Sequence, residues 1–286
     1  MSDVDHIVVG YDGGSAGADA IAFGNCWCLA SGDTMAVVTV HPGPASQRVD
    51  AEWTAHQRDR AASFHDEARA LVADGVQAEF RQVVGDSAAH TLHDLAEQEG
   101  TLVVLGTRHR SGGRRTAPGS TANRLFQGSR APVAIVPSGY SRRGAEPLRR
   151  VTASYVDTVD GRVALEQAGR IAQHLGADLR VVTVVPDTRV IPTTGEPRRF
   201  ADAVWQEYER ALGAAVSGLP PAGRVTSEML DGHVVDALSD IGPEESDLLV
   251  IGSRGYGPLR RVFLGGVSAQ VVRHARIPVV VVPRGR

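Results

Sequence analysis

Two stretches of this chain combine a strand-like apolar run, a glycine-bearing loop and the start of a helix, an order of residue types suited to holding an anion on main-chain amides. The fuller copy reads Gly252-Ser253-Arg254-Gly255 and resumes at Gly265-Gly266-Val267-Ser268, just ahead of the helical AQVVRHA. Glycines let backbone N–H groups approach a ligand closely, and the first turn of a helix favours phosphate. Arg254, Arg260 and Arg261 add charge and bidentate donors. The other copy, earlier in the chain, repeats the frame as Gly106-Thr107-Arg108-His109 and then Gly119-Ser120-Thr121. Asp12 follows the first apolar run and precedes Gly13-Gly14-Ser15, putting a carboxylate at a strand end. Alone, such an aspartate serves equally well as a helix cap or turn residue. Glycine is frequent, 32 of 286 residues, so position between strand and helix carries the argument and isolated glycine pairs do not.

Other chemistry-bearing residues point to less. His90 and His93 share a helical face at metal-ligand spacing but have no third ligand nearby, so they read as solvated or capping histidines. Cys26 and Cys28, the only cysteines, lie in an apolar stretch and read as small core residues in a reducing, cytoplasmic setting. Arg108, Arg110, Arg114 and Arg115 lack interleaved aromatics, which argues against a nucleic-acid platform. Trp205 and Tyr208 read as core or lid contacts. No HExxH or Cys/His dyad pattern occurs, and the chain contains no lysine, which removes the P-loop and Schiff-base lysines together. A net charge of -3 gives no global field for nucleic acid or an anionic membrane. The N-terminal MSDVDHIVVG lacks a basic leader, and no window reaches the ~20 apolar residues of a membrane span.

The elements that position these residues occur twice. LVVLGTRHR returns as LLVIGSRGY, and SRAPVAIVP as HARIPVVVVP, each 146 positions later (106 to 252, 132 to 278). IVVGYD is answered by VTASYVD, and MAVVTVHP by LRVVTVVP, so four blocks recur in one order. The chain reads as a tandem duplication with domains at 1–140 and 148–286. Short β-branched runs at 7–9, 36–40, 102–105 and 133–136 suit strands buried on both faces of a parallel sheet. Helical patterns fill 16–30, 52–73 and 88–97, the latter two stopped by Gly75 and Gly100. In the second copy they fill 162–175, 200–216 and 234–241, with 188–198 an irregular loop. The expected fold is α/β, two tandem doubly wound domains of about five parallel strands, with ligands at the carboxyl ends of the strands.

At these residues the chain resembles the universal stress protein family, in its tandem two-domain bacterial form, over nearly its whole length. The ATP-binding members carry G-x2-G-x9-G-[ST] after the fourth strand, an Asp ending the first strand and a backbone contact at the end of the second. Gly252, Gly255 and Gly265 match that spacing, with Gly266 where Ser or Thr is usual and Ser268 close by to compensate. Gly106, Gly119 and Ser120 match in the first copy, with Thr121 following and His109 in place of the second glycine. The family aspartate maps onto Asp12; the second copy has Val156 at that position and Asp157 one residue later. The backbone contacts map to Val40 and Val184. The resemblance implies ATP with Mg2+ and a nucleotide-dependent stress regulator that hydrolyses slowly if at all. It also implies pairing of the two copies through their fifth strands, an internal pseudo-dimer that leaves a homodimer open. A true ATPase or nucleotidyl transferase, a nucleotide-free scaffold and a flavin-binding relative are the alternatives; the absence of an HxGH motif weighs against the transferase.

Overall fold

The apolar runs become strands because every crossover between them is long enough to hold a helix, which leaves both faces of the sheet covered. A computed structural model of the chain describes residues 6–41, 51–98, 100–109, 116–185, 197–219, 223–253 and 265–283. In the first half, β1 (His6–Gly10), α1 (Ser15–Ser31), β2 (Thr34–His41), α2 (Ala51–Leu71), β3 (Gln77–Val84), α3 (Ala88–Leu95) and β4 (Thr101–Gly106) follow in turn. A two-residue ladder, β5 (Arg108–His109) with β6 (Thr116–Ala117), leads to α4 (Ser120–Leu125) and β7 (Val133–Val136). The second half repeats the plan with β8 (Arg150–Ser154), α5 (Val159–His174), β9 (Asp178–Val185), α6 (Pro197–Ser217), β10 (Val225–Asp231), α7 (Val234–Ser239), β11 (Leu248–Gly252), α8 (Gly266–His274) and β12 (Val279–Val282).

The ten long strands form one sheet in the order β10-β9-β8-β11-β12-β7-β4-β1-β2-β3. Every neighbouring pair is parallel except the central one, where β7 and β12 run antiparallel with Val279 opposite Ile135 and Val281 opposite Val133. All eight residues of these two strands are buried. Alternation along each strand sends Ile7 and Val9 to one face and Val8 to the other, and each face carries a core that continues across the junction.

The edge strands differ from the rest. β3, reading QAEFRQVV, alternates between exposed and half-buried residues because only one of its flanks is paired, so it lacks the continuous apolar run of the inner strands. Several helical boundaries also differ from expectation, most at the starts of α6 and α5. Pro197 and Arg198 open α6 rather than close a loop, with proline at the first helical position, where its missing N–H is harmless; residues 188–196 lie outside the described set. α5 starts at Val159, three residues earlier than the apolar pattern, because Thr158 caps it by accepting from the Gly161 N–H at 3.0 Å. Gly75 and Gly100 turn the chain at positive φ, several residues beyond the ends of α2 and α3. α2 ends where Asn25 of α1 takes over, donating to the Leu71 carbonyl at 2.9 Å and accepting from the Ala73 N–H.

α1 is apolar nearly all round, with Ile21, Phe23 and Trp27 fully buried, because the segment joining the halves covers its outer side. Tyr140, in the 3-10 turn Tyr140–Arg143, packs edge-on against Phe23, and Leu148 donates its N–H to the Cys26 carbonyl. Cys26 and Cys28 lie inside this layer as free thiols, and burial pushes the Cys28 thiol up to about 12. Two buried carboxylates pin the joining segment. Asp19 accepts from the Gly139 and Ser141 N–H groups and the Ser141 hydroxyl at 2.7–2.8 Å. Asp247 accepts from Arg143 Nη2 at 2.5 Å and from the Arg149 and Arg150 N–H groups at 2.9 and 3.0 Å. Asp33 adds a direct bond between the halves, meeting His174 Nε2 at 2.8 Å while accepting from Trp27 Nε1 at 3.0 Å. None of the described helices is long and apolar enough to cross a membrane.

Two outcomes follow from these buried polar groups. Asp247→Ala strands two amides and the Arg143 guanidinium, so unfolding in urea should show a loss of about 2–4 kcal/mol. His65 on α2 is buried against Phe80, and burial pushes its imidazole below the ordinary value of 6.5. The folded chain therefore holds this ring neutral while the unfolded chain takes up a proton, so its contribution to stability falls as pH drops through about 6.5. Titrating urea stability between pH 7 and pH 5 should show a shallower decline for His65→Gln than for the unaltered chain.

Candidate functional site

The crevice of the first half opens where strand order reverses, between β1 and β4. β1 ends at Gly10 opposite Val38, and the Tyr11 N–H closes the ladder on the Val38 carbonyl at 3.0 Å. β2 continues for three residues and stays paired with β3, the His41 carbonyl accepting from Gly85 at 2.9 Å. Main-chain polar groups alternate sides along a strand, so Val40 turns its N–H and C=O the other way, over the end of β1, where no strand meets them. Such a group can bind a complementary acceptor and donor pair.

Around this point lies a cavity of about 210 Å³. Asp12, Val40, Gly106, Gly119, Ser120 and Thr121, all singled out in the sequence, line it together with Tyr11, Leu105 and Arg108. Gly119 is the extended residue before α4, and a side chain there would enter open space. Asp12 is held at the mouth, its Oδ1 accepting from the Gly14 N–H at 3.2 Å and its Oδ2 from Arg108 Nη2 at 2.8 Å. Both members of that ion pair are more than half exposed, so it is worth at most about 1 kcal/mol and yields readily to a ligand. In the sequence Arg108 stands out only as part of a basic cluster. Its adjacency to Asp12 was available from topology, because β1 and β4 are neighbours and both residues sit just past their strands. His109 lies in the short β5 strand opposite Thr116, and its side chain is outside the described residues.

Gly106 has a different reason for being glycine than closeness to phosphate. A Cβ there would stand 1.8 Å from the Ala16 carbonyl oxygen, so the end of β4 and the start of α1 touch main chain to main chain. Gly252, its counterpart, has nothing nearer than 3.4 Å.

The second half has a smaller cavity, about 140 Å³, lined by Gly252 and Ser268 among the expected residues, with Val156, Asp160, Val234, Ile251 and Val267. Val156 takes the place Asp12 has in the first half, and Asp157 does not line the cavity. Its carboxylate instead accepts from Tyr155 Oη at 3.1 Å and pairs with Arg162 at 2.5 Å. Burial and this carboxylate both raise the Tyr155 phenol above its ordinary value. Ser268 does not replace the hydroxyl missing at Gly266; it donates back to the Gly252 carbonyl at 3.1 Å. Gly265 precedes α8 in extended conformation and Gly266 opens the helix, neither lining the cavity. Val184 is buried in the core, away from the lining. Gly255, with Arg254, Arg260 and Arg261, lies outside the described residues.

Of the remaining candidates, His90 and His93 flank a shallow recess with Ser87 and Arg124, and no group of three or more metal-ligating side chains gathers among the described residues. Trp205 is 38% exposed on α6, so it is not a core contact.

Against known proteins, the model of the universal stress protein family matches residues 3–137 and again 149–283, and the chain belongs to that family. Universal stress protein Rv2319c of Mycobacterium tuberculosis is 28% identical over 290 residues, covering 97% of this chain and 99% of its own. A crystal structure of a universal stress protein from Archaeoglobus fulgidus superposes with a TM-score of 0.72 at 20% identity, covering 99% of this chain and all of that one. One from Pseudomonas aeruginosa gives 0.61 at 15% identity over 98% of this chain and 94% of its own. These structures share the fold.

The two glycine environments give a paired outcome. Gly106→Ala should lower urea stability by about 1–3 kcal/mol through main-chain overpacking, and Gly252→Ala by clearly less.

Proposed function

We propose that this chain is a cytoplasmic ATP-binding regulator of the stress response, with domains at 1–140 and 148–286 and at most slow hydrolysis. The single observation that carries the reading is the first-half cavity, which unites an open main-chain edge at Val40, a carboxylate at Asp12 and the amides that begin α4. In this reading Val40 meets the hydrogen-bonding edge of adenine, and Asp12 accepts from ribose hydroxyls. The main chain at Gly119, Ser120 and Thr121 faces the phosphate tail, and Arg108, released from Asp12, supplies positive charge where a lysine does so in other folds. Since no protein group of metal-binding type gathers there among the described residues, Mg2+ fits as a companion of the phosphates and would neutralise their charge. The β7–β12 pairing supports reading the two halves as an internal pseudo-dimer.

A second reading, a scaffold that holds no nucleotide, is favoured by the Asp12–Arg108 ion pair across the mouth. Calorimetric titration with Mg-ATP separates the two. The ATP reading expects saturable heat and a thermal shift, with Asp12→Ala weakening affinity about tenfold or more. No heat and no shift at millimolar ATP would leave the scaffold standing.

A further inference from the structure

Resting on the ATP reading of the first half, we propose that the chain takes one nucleotide, there alone, and that Val156 is the residue that disqualifies the second half. The two mouths correspond position by position over Gly10-Tyr11-Asp12-Gly13-Gly14 and Ser154-Tyr155-Val156-Asp157-Thr158, since Tyr11 and Tyr155 make the same bond, to the Val38 and Val182 carbonyls at 3.0 and 2.8 Å. The position that offers a carboxylate in one half thus offers an isopropyl group, 40% exposed, in the other. A ribose hydroxyl meeting Val156 loses its water and gains no acceptor.

The neighbouring carboxylate cannot stand in. Asp157 is engaged by Tyr155 and Arg162, an ion pair as exposed as Asp12–Arg108, so what holds it off the cavity is the loop that carries it, fixed from both sides. Thr158 donates its N–H to the Val156 carbonyl at 2.7 Å while its hydroxyl oxygen caps α5. Gly161 lies so close beneath that a Cβ there would stand 1.9 Å from the Val156 oxygen. Turning Asp157 into the cavity would break these bonds together. In the first half the same stretch is Gly13-Gly14, Gly13 at φ 77°, and no side chain caps α1, so the loop is free to aim Asp12 at the mouth.

The test is Mg-ATP stoichiometry by calorimetry on the full chain, with photo-crosslinking by azido-ATP and peptide mapping to locate the label. The expected results are one site per chain, label confined to the first half, affinity about tenfold or more weaker in Asp12→Ala, and a second site in Val156→Asp. Val156 is exposed enough for this substitution to leave the fold intact, which circular dichroism checks. Two sites in the unaltered chain, label in both halves, or one site of undiminished affinity in Asp12→Ala would overturn this inference while leaving ATP binding in place. A Val156→Asp chain that folds and still takes one nucleotide would overturn the role of Val156. Absence of all binding in the unaltered chain would instead sink the ATP reading itself, and this inference with it.

Discussion

The rest of the molecule depends on the four-residue pairing of β7 with β12. Each half alone would end its sheet in a short strand of unbroken valine, isoleucine and alanine, an unpaired edge too apolar to leave in water. Joining the two edges removes both at once and lets the core on either face run from one half into the other. The outer edges, β3 and β10, are by contrast rich in charged and polar residues, the composition that keeps a free edge from recruiting further strands. The pattern of side chains therefore determines where the sheet joins and where it stops.

Covering that junction imposes its own demands. α1 sits between the sheet and the joining segment, so it loses the polar outer face usual for such a helix and buries even Asp19 and Asn25. Those two polar groups are kept because each completes someone else's hydrogen bonds: Asp19 those of the joining segment, Asn25 those at the end of α2. A buried carboxylate is costly unless several donors converge on it, and both Asp19 and Asp247 meet that condition through main-chain amides.

Much of this was legible in the sequence. The duplicated blocks, the inner strands and the helices between them follow from periodicity, because residues buried on both faces leave an unbroken apolar record. The edge strands were harder, since β3 reads QAEFRQVV and its strand character comes from pairing with β2 instead of from burial. In the crevice, residue types and strand ends were enough to gather Asp12, Val40, Gly106 and the start of α4. They were not enough to show that Gly106 serves the Ala16 carbonyl, or that Arg108 answers Asp12, because both are contacts between segments far apart in sequence. The placement of Asp157 depended on a cap three atoms wide, the Thr158 hydroxyl on the Gly161 amide, and a one-residue choice of this kind leaves no periodic trace.

The antiparallel seam has a geometric consequence for anything that docks. Strands of the two halves run in opposite senses, so the carboxyl ends of β1 and β2 and those of β8 and β9 lie at opposite rims of the sheet. The chain leaves β7 at the first rim and enters β8 at the same rim, which is why so short a crossing suffices. A partner approaching the first crevice thus comes to the rim that carries the covalent bridge between the lobes, whereas the second crevice lies at the rim without it, and duplication of the fold yields two unlike faces.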